Sequence, residues 1–135
     1  MVVARQAATV GLTFSNTVGV QEEGRGTWLY VSGQVAWGDD GKIVPGGIEA
    51  ETRKTFQHVL RAVVGAGGAA THIVKLTAYL TSLSDYPTYN TLRGEFFGDA
   101  LPASTAVGVG DLLFGACVEV DAIAFIPKGG TASSA

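Results

Sequence analysis

Cysteine is almost absent: Cys117 is the single cysteine among 135 residues. One cysteine excludes an intrachain disulfide framework and a cysteine-based zinc site, and it suits a reducing compartment. No stretch of 18 apolar residues occurs, and the N-terminal MVVARQAATVGLTF lacks the continuous apolar segment of a signal peptide. We therefore expect a cytoplasmic protein with no membrane partner.

Charged side chains are also scarce, at 16% of residues, against about 25% in typical globular domains. A surface that is buried between subunits needs fewer charges, so the deficit predicts a homo-oligomer, although the 19 glycines explain part of it. The net charge is −3 and the nine basic residues are scattered. Because no basic stripe is present, nucleic acid is not an expected partner.

Motifs for metals and nucleotides are missing as well. His58 and His72 have no acidic or histidine companion at metal-ligand spacing, which favours structural histidines. The glycine-rich runs GAGG and GVGDLLFG match neither a P-loop nor a dinucleotide-binding loop. The sequence predicts no metal and no organic cofactor.

Periodicity predicts one domain, residues 1–127, with the element order β-β-α-β-α-β-β and a flexible tail at 128–135. Ile48 to Val64 has the apolar stripe of an amphipathic helix that GAGG ends, and SLSDYPTYNTLRGEFFG predicts a second helix with Ser84 as its N-cap. Two strands separated by a kink or bulge at SGQ are predicted within Thr27 to Trp37, and further strands at 73–80, 104–109 and 116–125; another strand before residue 20 would make six. Two helices cannot cover both faces of such a sheet, so a partner subunit is expected on the other face.

The last predicted strand, GACVEVDAIAF, has an unusual second face. Val118, Val120, Ala122 and Ala124 form a core face, whereas Glu119 and Asp121 share the other face with large apolar groups. Glu119 is either a carboxylate satisfied across an interface or a partly buried general acid/base, and the pattern leaves both open. For Cys117, which has no basic neighbour in sequence, a structural role is favoured over a nucleophilic one.

Several motifs together resemble the Rid (reactive intermediate deaminase, YjgF-like) family. They are YVSGQ, TRKTFQHVLRAV, IVKLTAYLTSLSDYPTYNTLRGEFF, LPASTAV and VEVDAIA, and they span about residues 13 to 126. The resemblance implies a chorismate-mutase-like α+β domain with a five- or six-stranded mixed sheet, two helices on one face, and a homotrimer with three intersubunit clefts.

The resemblance also implies a small-molecule substrate. Active family members hydrolyse 2-imino acids, or their enamine tautomers, to 2-oxo acids and ammonia. The glutamate that positions water in that family corresponds to Glu119, and the matching cleft positions are Ser32, Gly33 and Asn90.

Three positions depart from the family pattern. Ser104 stands where active members carry an arginine that binds the substrate carboxylate, Ala106 replaces a frequent cysteine, and Phe14 replaces a tyrosine. Ser104 and Thr105 could donate only neutral hydrogen bonds, and loss of the charged pair is worth about 1.5 to 3 kcal/mol. We therefore expect a less acidic or uncharged imine, unless Arg93 or Arg25 replaces the missing group.

Two other functions remain open at this point. A non-catalytic trimer that binds a small molecule would also explain the missing arginine. A ribonuclease activity, sometimes ascribed to relatives, fits poorly with a net charge of −3.

Overall fold

The computed structural model describes residues 2–8 and 11–129. Six strands and two helices follow one another as β1 (Val2–Ala7), β2 (Ser15–Glu22), β3 (Gly26–Gln34), α1 (Gly47–Gly65), β4 (Ile73–Leu80), α2 (Tyr86–Phe97), β5 (Ala103–Gly108) and β6 (Val118–Pro127). Most of the predicted tail, 128–135, lies outside the described residues. Lys128 is described, and its backbone N–H donates to the Arg25 carbonyl at 2.9 Å.

The six strands form one mixed sheet in the order β1-β2-β3-β6-β4-β5. Only the β4–β5 pair is parallel among the strand pairs that the structure describes. The predicted mixed sheet is therefore confirmed, and with it the α+β class.

The N-terminal half differs from the predicted strand order. No strand follows SGQ: after Gln34 the chain leaves the sheet and makes only an isolated bridge between Trp37 and Ile43. The N-terminal part contributes two other strands, β1 and β2, which pair as a hairpin before residue 23 and complete the six strands of the sheet. Every residue of β1 is exposed, so neither face of this strand has to be apolar, and its sequence shows no alternation of apolar and polar residues.

Both helices pack on the same face of the sheet. The buried side of α1 carries Thr52, Phe56, Val59 and Val63, and the helix ends where Gly67 adopts φ 92° and the Gly68 N–H donates to the Val63 carbonyl at 2.9 Å. Helix α2 begins at Tyr86 after a 3-10 turn. Ser84 lies inside that turn and does not cap the helix, because its hydroxyl hydrogen-bonds to the Ser82 hydroxyl at 2.6 Å.

The core lies between this face and the helices. In β6, Val118, Val120, Ala122 and Ala124 are all buried, as the alternation predicts. In β4, strict alternation of the sequence predicts that Val74 lies on the same face as Leu76, Ala78 and Leu80. This is wrong at the first two residues, because a register shift between Ile73 and Lys75 buries Ile73 and exposes Val74.

The other face of the sheet, here called the open face, has no helix over it among the described residues. It exposes large apolar side chains from four strands, including Trp28, Tyr30, Val74 and Val107. The Trp28 and Phe125 rings are in contact, with centroids 4.8 Å apart. Neither helix of the described residues is long and apolar enough to cross a membrane.

Candidate functional site

Glu119 lies on the open face, near the start of β6 and opposite Tyr79 of β4. Its side chain is half-buried. Burial, together with the nearby Asp121 carboxylate, raises the pKa of Glu119 above its usual range. The Tyr79 hydroxyl donates to Asp121 Oδ2 at 3.0 Å, so Asp121 already has a partner.

A bulge in β3 supplies the surface on which the Glu119 side chain rests. The register between β3 and β6 shifts from Val31 to Gln34, as the SGQ pattern predicts. A Cβ atom built on Gly33 would lie 2.9 Å from Cδ and 3.2 Å from Cγ of Glu119, and closer still to Oε2. The glutamate therefore crosses directly over Gly33, and a side chain at this position would displace its carboxylate.

Hydrogen bonds fix the shape of this bulge. The Ser32 hydroxyl donates to the Ser15 carbonyl at 2.7 Å, which ties β3 to β2. The Gln34 amide donates to the Ser32 carbonyl and to Asn16 Oδ1, both at 2.9 Å. Ser32, one of the predicted site residues, thus holds the backbone beneath Glu119.

A pocket of about 140 Å³ has Gly33 in its wall. Phe14 forms part of its wall and is exposed. The lining residues are Ala8, Leu12, Phe14, Asn16, Gly33, Gln34, Trp37 and His58. His58 shares a hydrogen bond of 2.9 Å with the Trp37 carbonyl, which agrees with a structural histidine. Gly33 is the residue that connects the two features: it belongs to the wall of the pocket and lies beneath the Glu119 side chain.

A second polar group surrounds Arg93 on α2. The guanidinium donates to the Ser104 hydroxyl at 2.7 Å, to Asn90 Oδ1 at 2.6 Å and to the Tyr86 hydroxyl at 2.9 Å. It also lies 5.7 Å and 5.3 Å from the ring centroids of Tyr86 and Tyr89. Burial raises the pKa of Tyr89 to about 12, against the opposing influence of the Arg93 charge.

Within one chain, the residues around Glu119 and the residues around Arg93 do not lie together. Ser104 of β5 pairs with buried Leu76 and faces the helices, whereas Glu119 faces the open side. Two strand spacings, about 10 Å, also separate β5 from β6. Thr105, the neighbour of Ser104, points to the open face, where the Lys75 ammonium donates to its hydroxyl at 2.8 Å.

Of the two arginines weighed as substitutes, only Arg93 reaches a predicted site residue. Arg25 lies in the turn between β2 and β3, at the end of β3 opposite to Gly33, and forms an exposed ion pair with Glu22 at 3.8 Å. The periodicity did not identify the supporting residues Asn16, Gln34 and Trp37. Gln34 directly follows the glycine of the bulge, which is the one signal that could have suggested it.

Cys117 is in an environment that suits a structural residue. Burial, with a contribution from Glu51, raises the pKa of the thiol to about 12. The Cys117 backbone N–H donates to Glu51 Oε1 at 2.9 Å. Within residues 2–8 and 11–129, no group of three or more His, Cys, Asp or Glu side chains is placed to hold a metal ion.

Known proteins are similar to this chain in sequence and in fold. The sequence profile described as Endoribonuclease L-PSP matches residues 8–126. A 2-iminobutanoate/2-iminopropanoate deaminase of Rattus norvegicus is 34% identical over 97 residues, which cover 71% of each chain. A RutC family protein of Pyrococcus abyssi is 33% identical over 101 residues, covering 74% of this chain and 80% of that protein. YyfA of Yersinia pestis, a Rid-family structure, has a TM-score of 0.78 at 28% identity, covering 90% of this chain and 94% of that chain.

Two helices on one face of a six-stranded mixed sheet, together with these matches, define the class. The chain belongs to the Endoribonuclease L-PSP family, which is the Rid (YjgF-like) family that its motifs resemble.

Proposed function

We propose that this chain forms a cytoplasmic homotrimer that hydrolyses small imines or enamines in clefts between its subunits. The observation that carries the proposal is Glu119: a half-buried carboxylate with a raised pKa, laid across a glycine beside a pocket. Perturbed carboxylates in such places are candidates for acid/base catalysis. The deaminase names of relatives at 32 to 34% identity favour the same chemistry.

The reaction needs one water and two proton transfers to nitrogen. Glu119 takes a proton from the water as its oxygen bonds to the imine carbon, and passes that proton to the imine nitrogen, which gives a neutral carbinolamine. Glu119 then takes the proton of the carbinolamine hydroxyl and gives it to the nitrogen, the C–N bond breaks, and a carbonyl compound and ammonia leave. The raised pKa suits both steps, because it makes the carboxylate a stronger base than an ordinary glutamate.

Two features of the structure support assembly into a homo-oligomer. The open face carries exposed Trp28, Tyr30 and Val107, which a second copy would cover. Glu119 and Ser104 lie on opposite sides of the sheet, so one ligand that touches both must lie between two chains. In such a cleft one subunit supplies Glu119, Gly33 and Phe14, and the next supplies Asn90 and Ser104. Thr105 stays on the open face beside Lys75.

Ammonia release tests this function. An amino-acid oxidase generates 2-iminopropanoate or 2-iminobutanoate in place, and wild type is compared with Glu119→Gln. We expect the variant to lose about 10²- to 10⁴-fold in turnover, the usual range for a general acid/base. Glu49→Gln is the matched control, because Glu49 is an exposed carboxylate that pairs with Arg53 on α1 at 3.3 Å.

The same assay also tests whether the protein binds a small molecule without catalysis. The observation that favours this alternative is the lack of charge at Ser104. Thermal stabilisation by imine analogues without any acceleration of ammonia release would favour a binding protein. Equal acceleration by wild type and Glu119→Gln would remove Glu119 from the chemistry.

A further inference from the structure

Arg93 is a half-buried cation without a counter-charge. No carboxylate among residues 2–8 and 11–129 lies within ion-pair distance of its guanidinium, whereas Arg25 has one such carboxylate and Arg53 has two. The three groups that accept its hydrogen bonds, Ser104, Asn90 and Tyr86, are all neutral. A partly desolvated charge is unfavourable unless an opposite charge compensates it, so this arrangement favours an incoming anion.

Two N–H groups of the guanidinium are left for an incoming anion. Of the five N–H groups on a guanidinium, the three bonds engage both on Nη2 and one on Nη1, so the Nε–H and one Nη1–H have no acceptor in the described part of the chain. The hydroxyl and amide partners fix the plane of the group. Each of the two remaining N–H groups can donate a charge-assisted hydrogen bond to a carboxylate oxygen.

We infer that Arg93 binds the carboxylate of the substrate, at the position where Ser104 supplies no charge. This inference rests on the proposed function and specifies its substrate class: imines that carry a carboxylate, such as 2-imino acids. It replaces the expectation of an uncharged substrate that Ser104 alone suggests. In the proposed trimer, Arg93 of one chain orients the substrate toward Glu119 of the next.

The competing role for Arg93 is purely structural, as a brace between α2 and the edge strand β5 through Ser104. The two roles differ in their dependence on ligand charge. A brace affects charged and neutral ligands alike, whereas a carboxylate anchor affects the charged ligand alone.

Ligand binding separates these roles. Calorimetry on the assembled protein compares 2-oxobutanoate, a reaction product, with its uncharged methyl ester. We expect Arg93→Gln to weaken binding of the acid about tenfold to 150-fold and to leave the ester unchanged. Arg53→Gln is the matched control, because Arg53 is already paired with Glu49 and Glu95. Equal loss for both ligands, no loss for the acid, or no acid binding by wild type would overturn the inference.

Turnover supplies a second readout. With carboxylated imines, Arg93→Gln should raise KM by a similar factor, and Ser104→Arg in the same chain should restore it, since position 104 hydrogen-bonds to the Arg93 guanidinium at 2.7 Å. Arg93→Lys keeps the positive charge but not the planar guanidinium, and should raise KM less than Arg93→Gln does. Circular dichroism and particle mass show that each variant folds and assembles.

The two proposals fail in different ways. If Glu119→Gln abolishes turnover while Arg93→Gln keeps wild-type KM and acid binding, the hydrolase stands and the anchor falls. If wild type releases no ammonia but binds 2-oxobutanoate through Arg93, the anchor stands and the hydrolase falls.

Discussion

Gly33→Ala should disable the site while leaving the fold intact. The added methyl would lie 2.9 Å from Glu119 Cδ and 3.2 Å from its Cγ, distances that a real contact does not sustain. The three nearest atoms all belong to the Glu119 side chain, so this side chain must move off the bulge. The carboxylate would then leave the place where it can take a proton from water.

The expected magnitudes differ for activity and stability. Turnover should fall about 10²- to 10⁴-fold, as for loss of a general acid/base. The free energy of unfolding should stay within about 1 kcal/mol of wild type, because Gly33 is not among the residues with positive φ and alanine restricts the unfolded chain. The displaced carboxylate also moves into water, which relieves part of its burial.

Ammonia release and urea unfolding on the same preparations measure both quantities. Gly65→Ala is the control, since Gly65 ends α1 and a Cβ there meets nothing within 4 Å. Gly33→Ala and Glu119→Gln should be strongly non-additive, because both remove the same catalytic group. Near wild-type turnover in Gly33→Ala would refute the assignment of Glu119 to its position over the bulge.

Three further predictions concern protonation and buried hydroxyls. Burial and the Asp121 carboxylate raise the pKa of Glu119, so ionisation of Glu119 disfavours folding. Glu119→Gln should therefore unfold at a higher temperature than wild type at pH 8. This gain should vanish below pH 4.5, the ordinary pKa of a glutamate, because wild-type Glu119 is then protonated in both states. A gain that persists in acid would contradict this. Cys117, with a thiol pKa of about 12, should react with iodoacetamide at pH 8 about 1,000-fold more slowly in the native protein than in urea; comparable rates would show an accessible thiolate. Thr55→Val should stabilise the fold by about 1 kcal/mol in urea unfolding, because its buried hydroxyl has no hydrogen-bond partner among residues 2–8 and 11–129. Thr91→Val, which loses a bond of 3.1 Å to the Pro87 carbonyl, should not.

Local periodicity predicted the parts of the fold in which one face is buried. Helix α1, strand β4 and the alternation of β6 follow from their apolar patterns, and the expected stop at GAGG is the left-handed turn at Gly67. The N-terminal hairpin of β1 and β2 was predicted only as one further strand before residue 20. β1 is exposed along its whole length, and its pairing with β2 is set by the rest of the sheet.

The site shows the same division between local and long-range information. The bulge at SGQ and the side of the strand on which Glu119 lies follow from single segments. The contact between Arg93 and Ser104 depends on how α2 packs against β5, which is a long-range property that residue spacing does not contain. Alternation along β5 places Ser104 and Thr105 on opposite faces, but it does not show that their partners are Arg93 and Lys75.

Mixed trimers test the central claim, a site shared between chains, most directly. Glu119→Gln and Arg93→Gln are co-expressed with different tags, and particles that contain both are purified and assayed on 2-iminobutanoate at a concentration near the wild-type KM. If Glu119 of one subunit works with Arg93 of the next, every trimer that contains both variants has one intact site in three, although each variant is impaired alone. Activity near a third of wild type, well above that of both parent variants, is the predicted result. Mixed particles no more active than the average of the two parents would contradict the shared site.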